Sequence, residues 1–381
     1  MATVATRLQS QELKPPLLVD AGIVGMVVLL VGFSLVMVYS TTGVMSQEKY
    51  GDALYFVKRQ GVAALLGLSF MWLFSKIQID WLRRVSPFLI FIAVALLLIP
   101  LIPGVGHRAG GAQRWINLGV MRFQPGEAVK VLFIIFIAGY WARHETRIPE
   151  FVAGVLKPFL CVGFVGVLLL AQPDFGSTAV IATVTLAMAL AAGVRLKFIG
   201  YSALALLVCA SALVFLSPYR MQRIVTFMSP FSDVSGKGYQ LIQSLIAVGT
   251  GQVTGVGLGA SQQKLFFLPA AHTDFIFAVV SEELGFLGAV LLISVFLVIL
   301  WRGLVLASHL VDDTFAFTLA VGLTLLIVAP ALLNVGVVTG LLPTKGMVLP
   351  LVGYGGSSMV TSLAAVGVLL ALKRYQFRHL H

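Results

Sequence analysis

The sequence predicts an all-α, polytopic integral membrane protein with about ten transmembrane helices, and three observations carry that prediction. Hydrophobic residues make up 59% of the chain and charged residues only 11%, with a mean hydropathy of +0.99, a balance that a water-soluble globule does not sustain. Apolar runs of about 20 residues, the length that crosses a hydrocarbon core roughly 30 Å thick, recur along all 381 residues. The sequence contains no soluble domain, low-complexity tract or internal repeat, so 1–381 reads as a single membrane domain.

The runs lie at 18 to 40, 54 to 75, 84 to 103, 125 to 142, 151 to 171, 177 to 194, 197 to 217, 274 to 302, 314 to 338 and 351 to 372. The first is expected to be its own insertion signal, because Met1 to Leu17 lacks the basic, apolar and small-residue order of a cleavable leader. Cys161 and Cys209 fall in apolar runs on different spans and read as small buried hydrophobes rather than a disulfide. So few residues join the sixth and seventh runs, around Gly193 to Lys197, that these two spans form a hairpin. Pro218 to Thr273 is then too long for an ordinary connection and is expected to be structured or functional. Within it, Leu241, Leu245 and Val248 have the spacing of a short amphipathic helix along the interface. The five glycines of Gly249 to Gly259 permit either phosphate cradling or, more commonly in such loops, a tight irregular turn. Asn334 to Ser358, rich in Gly and Pro, interrupts the chain ahead of the last run, as irregular backbone does where it lines a cavity.

An even number of spans puts both termini on one side. With them inside, fourteen of the 26 Lys and Arg are inside, and the inward bias sharpens once the long segment is set aside. The outer cations gather in Gly104 to Gln124 and Pro218 to Thr273. A groove for a phosphate-bearing ligand would account for them, and contact with anionic headgroups accounts for any one of them equally.

Charge inside an apolar run costs several kcal/mol unless paired or hydrated, so such residues are functional candidates. His272, Thr273 and Asp274 stand at the mouth of the eighth run, with Glu282 and Glu283 within it. Partial desolvation at Asp274 would raise its pKa and suit it to accept a proton from a hydroxyl nucleophile; a helix cap explains the same residue equally well. The glutamates lie roughly 12 to 13 Å further along a helix and about 80° and 180° from the Asp274 face, so at least one is expected in an ion pair. Lys130, three residues after Glu127, is a cation placed to neutralise such a group. Arg114 beside Trp115 reads as a phosphate contact or an interfacial anchor. Asp174 sits in a Pro and Gly turn that geometry alone can explain. Lys345 and the pair Ser357 and Ser358 complete the outer set.

These segments are recognisable together. GAQRWINLG, FQPGE, QPDFGS, GKGYQLIQSL, QQKLFFLPAAHTDFIFAVVSEELG and LLPTKGMVLPLVGYGGSS, in order over nearly the whole chain, resemble the SEDS family, the bacterial shape, elongation, division and sporulation proteins. QQK before the proline and PTKG in the last outer loop resemble its division-type branch more than the elongation type. The resemblance implies a peptidoglycan glycosyltransferase of the bacterial cytoplasmic membrane, with both termini cytoplasmic and its site on the outer face. It would polymerise lipid II there onto a lipid-linked glycan, beside a class B penicillin-binding protein and other division proteins, with no nucleic acid involved. Asp274 then matches the essential acid of the HTDF motif and would take the proton of the attacking hydroxyl. Arg114, Arg220, Lys264 and Lys345 become candidates for the diphosphate, with Trp115, His272, Thr273, Ser357 and Ser358 as further substrate contacts. Glu127, Lys130, Glu282 and Glu283 are left as ion-pair residues. A divalent cation, Mg or Mn, could assist, although no metal-ligand spacing assigns one; no organic cofactor is expected. Three positions depart from the family pattern: Ala270 for Glu, Ser281 for Gly and Gly353 for Ser. A flippase for the same precursor and a non-catalytic scaffold for the penicillin-binding protein are the rival readings.

Overall fold

The computed structural model describes residues 20–104, 106–109, 112–117, 122–233, 238–265, 267–344 and 346–379. Each expected crossing is helical: α1 (Ala21–Tyr50), α2 (Tyr55–Ser75), α3 (Ile79–Val85) running through a 3-10 turn into α4 (Leu89–Leu98), and α5 (Pro125–Arg143). They continue as α6 (Lys157–Ala171), led in by a π-helical turn at Val152–Leu156, α7 (Phe175–Ala191) and α8 (Leu196–Phe215). Two shorter helices, α9 (Pro218–Met228) and α10 (Tyr239–Thr250), structure the long segment before α11 (Ile276–Ser308), α12 (Thr314–Val338) and α13 (Gly356–His379). Eight of these crossings are by themselves long and apolar enough to span a membrane. Of the other two, α7 is apolar but only 17 residues long, and α2 carries Lys58 and Arg59 in its first turns.

Helix boundaries differ from the apolar runs where polar sequence goes on supporting a helix. The tail of α1, TTGVMSQEKY, is too polar for the hydrocarbon core yet stays helical as far as Tyr50. The last helix begins at Gly356 rather than 351, because Leu351 adopts a left-handed φ of 62° and the chain turns there. Cys161 is half-buried and Cys209 is exposed on α8, so the expectation that both are buried fails for Cys209. Among the residues of α8 only Ser202 is buried.

The Gly104 to Gln124 connection folds into a three-stranded antiparallel sheet, β1 (Gly106–Ala109), β2 (Ala112–Asn117) and β3 (Arg122–Phe123), in that order. Ala109 pairs with Ala112, the spacing of a two-residue hairpin, and the intervening Gly-Gly in the sequence is a hairpin signal. Ile116 opposite Phe123 then leads the chain through Gln124 into α5.

Buried aromatics of α5, α11 and α12, Phe133, Trp141, Phe277, Phe296 and Phe315, form the centre of the core. Helix α10 turns Leu241, Ile242, Ser244 and Ala247 inward, and Ser244 Oγ donates to Val338 O at 2.8 Å. It therefore packs on the bundle rather than lying free along an interface. At the end of the molecule far from Asp274, Asp313 accepts from Arg83 and from Tyr375 Oη (2.8 Å), joining α3, α12 and α13.

Candidate active site

A cavity of about 550 Å³ opens at one end of the bundle, with His272, Thr273 and Asp274 on its wall. The turn that carries them is built on backbone. Ala270 adopts a left-handed φ of 56°, and its carbonyl accepts from Thr273 N (3.0 Å), Thr273 Oγ1 (3.2 Å) and Phe275 N (3.3 Å). Asn334 of α12 donates from one amide nitrogen to Asp274 O (2.7 Å) and Met347 O (2.8 Å), tying the turn to the segment before α13. Tyr354 N donates to His272 O at 2.9 Å. Buried Gln60 of α2 donates to Ser34 Oγ (3.1 Å) and Gly353 O (3.2 Å) and accepts from Gly355 N (3.3 Å), which fixes the same segment from the other side.

Asp274 stands before α11 rather than capping it: Phe275 is the N-cap position and no side-chain cap bond forms there. Its carboxylate is left for the cavity, with Gly346 so close that a Cβ at that position would sit 2.8 Å from Oδ2. Burial pushes its pKa up to about 6, against the pull of Arg114, Arg223 and a Thr273 hydrogen bond. Burial likewise lowers the His272 pKa, favouring the neutral ring near neutral pH.

Arg114 and Trp115 of β2 line the cavity, and Arg114 Nε is buried without a partner. Glu127 and Lys130 of α5 form a 2.8 Å ion pair on its wall. Ser358 also lines it. Ser357 does not: its hydroxyl accepts from Gln124 N (2.8 Å) and donates to Arg122 O (3.2 Å), holding the junction of β3 and α5 to α13. Asp174 faces the cavity but is occupied as the N-cap of α7, accepting from Ser177 N (3.0 Å) and Ser177 Oγ (2.8 Å).

Three of the cations expected at the diphosphate are not described there. Lys264 is buried away from the cavity, 2.8 Å from Glu283 Oε1 and 3.0 Å from Ser40 Oγ. Arg220 donates to Leu213 O (3.1 Å) and lies over the Phe175 ring. Lys345 falls outside the described residues. The glutamates of α11 are taken up locally, Glu283 by Lys264 and Glu282 by Ser261 and Gln262 N (3.0 Å). Lys130 pairs with Glu127 and serves neither of them. The glycine-rich turn has a structural task. Gly285 breaks α11 with φ 66°, and Val256 N and Gly257 N donate to Glu282 O and Glu283 O, both at 3.0 Å. A Cβ on Gly255 would come within 2.2 Å of Glu283 O, so the close approach requires glycine.

Further residues that the sequence did not single out one by one also come to the site. Tyr50, Tyr55, Phe56 and Arg59 arrive from the corner between α1 and α2, together with Arg122, Gln124 and Tyr354. Arg223 of α9, held by Thr344 O at 2.9 Å, is close enough to act on Asp274. Arg59, Arg122 and Arg223 were signalled by the surplus of cations in segments expected outside, and Gln124 and Tyr354 by the segments FQPGE and LLPTKGMVLPLVGYGGSS in which they lie. Among the described residues no three His, Cys, Asp or Glu gather as metal ligands. Among the described residues that line the cavity, Asp274 is the carboxylate not taken up by a lysine or a cap.

The sequence profile of the family described as Cell cycle protein (FtsW, RodA, SpoVE) matches residues 21–378. The chain is 41% identical over 378 residues to the probable peptidoglycan glycosyltransferase FtsW of Thioalkalivibrio sulfidiphilus, covering 97% of this chain and 94% of that one. It is 40% identical over 357 residues to the protein of the same description from Coxiella burnetii, covering 93% and 95%. Among solved structures, a chain reported under "Structural coordination of polymerization and crosslinking by a peptidoglycan synthase complex" superposes with a TM-score of 0.73 at 28% identity, covering 94% of this chain and 99% of that one. The Thermus thermophilus rod shape determining protein RodA superposes with a TM-score of 0.68 at 25% identity, covering 94% and 98%.

Proposed function

The chain belongs to the SEDS family of cell cycle proteins, in its FtsW-like branch, and on that premise we propose that Asp274 is the base with which it builds glycan strands from lipid II. It is a multi-pass membrane protein and a peptidoglycan glycosyltransferase of the division type.

The growing glycan, held by its lipid diphosphate, is the donor, and the 4-hydroxyl of an incoming lipid II is the nucleophile. The bond from O4 to the anomeric carbon forms as the bond from that carbon to the diphosphate breaks, with inversion. The hydroxyl proton passes to an Asp274 carboxylate oxygen, and the leaving electron pair goes to the diphosphate. Arg114 and Arg223, the cations near enough to act on Asp274, would stabilise the charge that develops on that leaving group. Asp274 would be the residue to hold a Mg or Mn ion, which would supply further charge stabilisation at the diphosphate.

The observation that carries the reading is Asp274 itself: a carboxylate without a capping role, in a cationic cavity, with a pKa near the operating range of a general base. Lipid II lies in the leaflet where wall is made, so the cavity end is extracytoplasmic and both termini are cytoplasmic. The likeness to a chain from a synthase complex supports a class B penicillin-binding protein as partner. Polymerisation of labelled lipid II by purified protein, with and without that partner, tests the assignment. Wild type should form glycan chains, and Asp274→Asn should lose at least about a hundredfold in rate; equal product from both would remove Asp274 from catalysis.

A further inference from the structure

Helix α12 buries one amide that reaches out of its own helix. The hydroxyls along α12 fold back on it instead: Thr318 donates to Thr314 O (2.6 Å) and Thr324 to Ala320 O (2.7 Å). Asn334 lies in the last turns of α12 with 1% of its surface exposed. Its amide nitrogen carries two hydrogens, and both are spent outside the helix, on Asp274 O (2.7 Å) and Met347 O (2.8 Å). Its Oδ1 is buried without a partner, so the side chain is kept for what it donates.

The two acceptors belong to the two stretches of backbone that bound the candidate base. One is the carbonyl of Asp274 itself. The other follows Gly346, whose backbone faces the carboxylate so closely that a Cβ there would sit 2.8 Å from Oδ2. Asp274, Gly346 and Met347 all line the cavity, and Asn334 stands behind them. The bonds to Ala270 O from Thr273 N and Phe275 N shape the Asp274 turn within itself, without tying it to Met347. A second bond between the segments, Tyr354 N to His272 O, lies further along each chain. The spacing between Asp274 and the Gly346–Met347 backbone is therefore left to one side chain. Amides between membrane helices commonly serve as plain packing contacts; this one differs in that both of its acceptors flank the same carboxylate.

We propose that Asn334 is a positioning residue for glycosyl transfer: it holds Asp274 and the Gly346–Met347 backbone at the spacing in which the carboxylate meets the attacking hydroxyl, without itself touching substrate. This rests on the reading of Asp274 as the base. Without the tether the two segments part and water reaches the carboxylate. The hydroxyl then meets the base at varied distances, so turnover falls while the cations and rings of the cavity still bind substrate.

The test uses the full chain in nanodiscs, with polymerisation of labelled lipid II followed from about pH 5 to about pH 8. Asn334→Leu keeps the volume and removes the donor. In Asn334→Ser the hydroxyl is free to fold back on α12, as those of Thr318 and Thr324 do. Both variants should lower kcat by about tenfold to a hundredfold, the cost of a misplaced reacting group, with half-saturating lipid II moved by less than about twofold. The acid limb of the pH profile, expected at about 6 in wild type, should move to lower pH, because a better hydrated carboxylate ionises more readily. A raised half-saturating concentration with kcat kept would make Asn334 a substrate contact and overturn the proposal. So would unchanged kinetics, or a fall in kcat with the acid limb unmoved. Melting scans accompany both variants, and failure of both to fold would reduce Asn334 to structural support. Inactive wild type, or full activity in Asp274→Asn, would reject the underlying reading instead.

Discussion

At the scale of the residue, the account rests on one carboxylate kept in an unfavourable setting. The ordinary aspartate pKa of 3.8 becomes about 6 in the folded protein. The folded state therefore holds the proton more tightly than the unfolded chain, and stability falls as pH rises between those values. At neutral pH the cost reaches up to about 3 kcal/mol. Asp274→Asn should accordingly melt several degrees above wild type at about pH 7.5, with the difference vanishing near about pH 4; identical melting at both would show that Asp274 bears no such strain. That the residue is free to do chemistry was not legible in the sequence, where a base and a helix cap fit the letters HTDF equally. The distinction depends on α11 starting two residues later and on Asn334, some sixty positions away, holding the Asp274 carbonyl. A contact that distant leaves no mark in local pattern. The supporting Glu of the family pattern is Ala270 here, yet position 270 still organises the turn through its carbonyl.

At the scale of the element, the break in α11 shows the glycine-rich segment in the structural role that the sequence favoured over phosphate cradling. Five glycines in a loop are compatible with cradling phosphate; here Gly251 and Gly255 let the loop approach the backbone of Ser281 to Gly285, and Val256 N and Gly257 N bond to its carbonyls. The same interlock places Lys264 against Glu283, with side-chain exposures of 7% and 0%. A buried pair broken on one side typically costs about 3 to 5 kcal/mol, because the remaining charge is left uncompensated. Lys264→Met should thus lower the melting temperature markedly, and adding Glu283→Gln should restore much of it. A substrate-binding lysine would instead lose activity with melting unchanged, so the two measurements together decide its role. The sheet of β1 to β3 is the other element not read in advance. Its strands are too short for periodicity to declare them, and Gly-Gly was the one local sign of the hairpin.

At the scale of the whole molecule, the spans were legible because a membrane imposes a length and a polarity that the sequence must obey. Ten runs led to ten helical crossings, with ends displaced where polar sequence continued a helix or a left-handed residue stopped one. The site was legible in part: His272, Thr273, Asp274, Arg114, Trp115 and Ser358 were marked in the sequence and line the cavity, whereas the further arginines showed only as a surplus of cations in a chain of net charge +11. Which of those cations meet in one cavity is a property of packing: Arg59, Arg114 and Arg122 come from α2, β2 and β3, with Arg223 of α9 close enough to act on Asp274, while Arg220 and Lys264 are turned to other partners. The central claim is that this assembly serves one base, and the pH dependence of kcat/KM for glycan polymerisation tests it most directly. The account predicts a rate rising about tenfold per pH unit below about 6 and level above it, as Asp274 ionises. A rate independent of pH from about 5 to about 8 would contradict it.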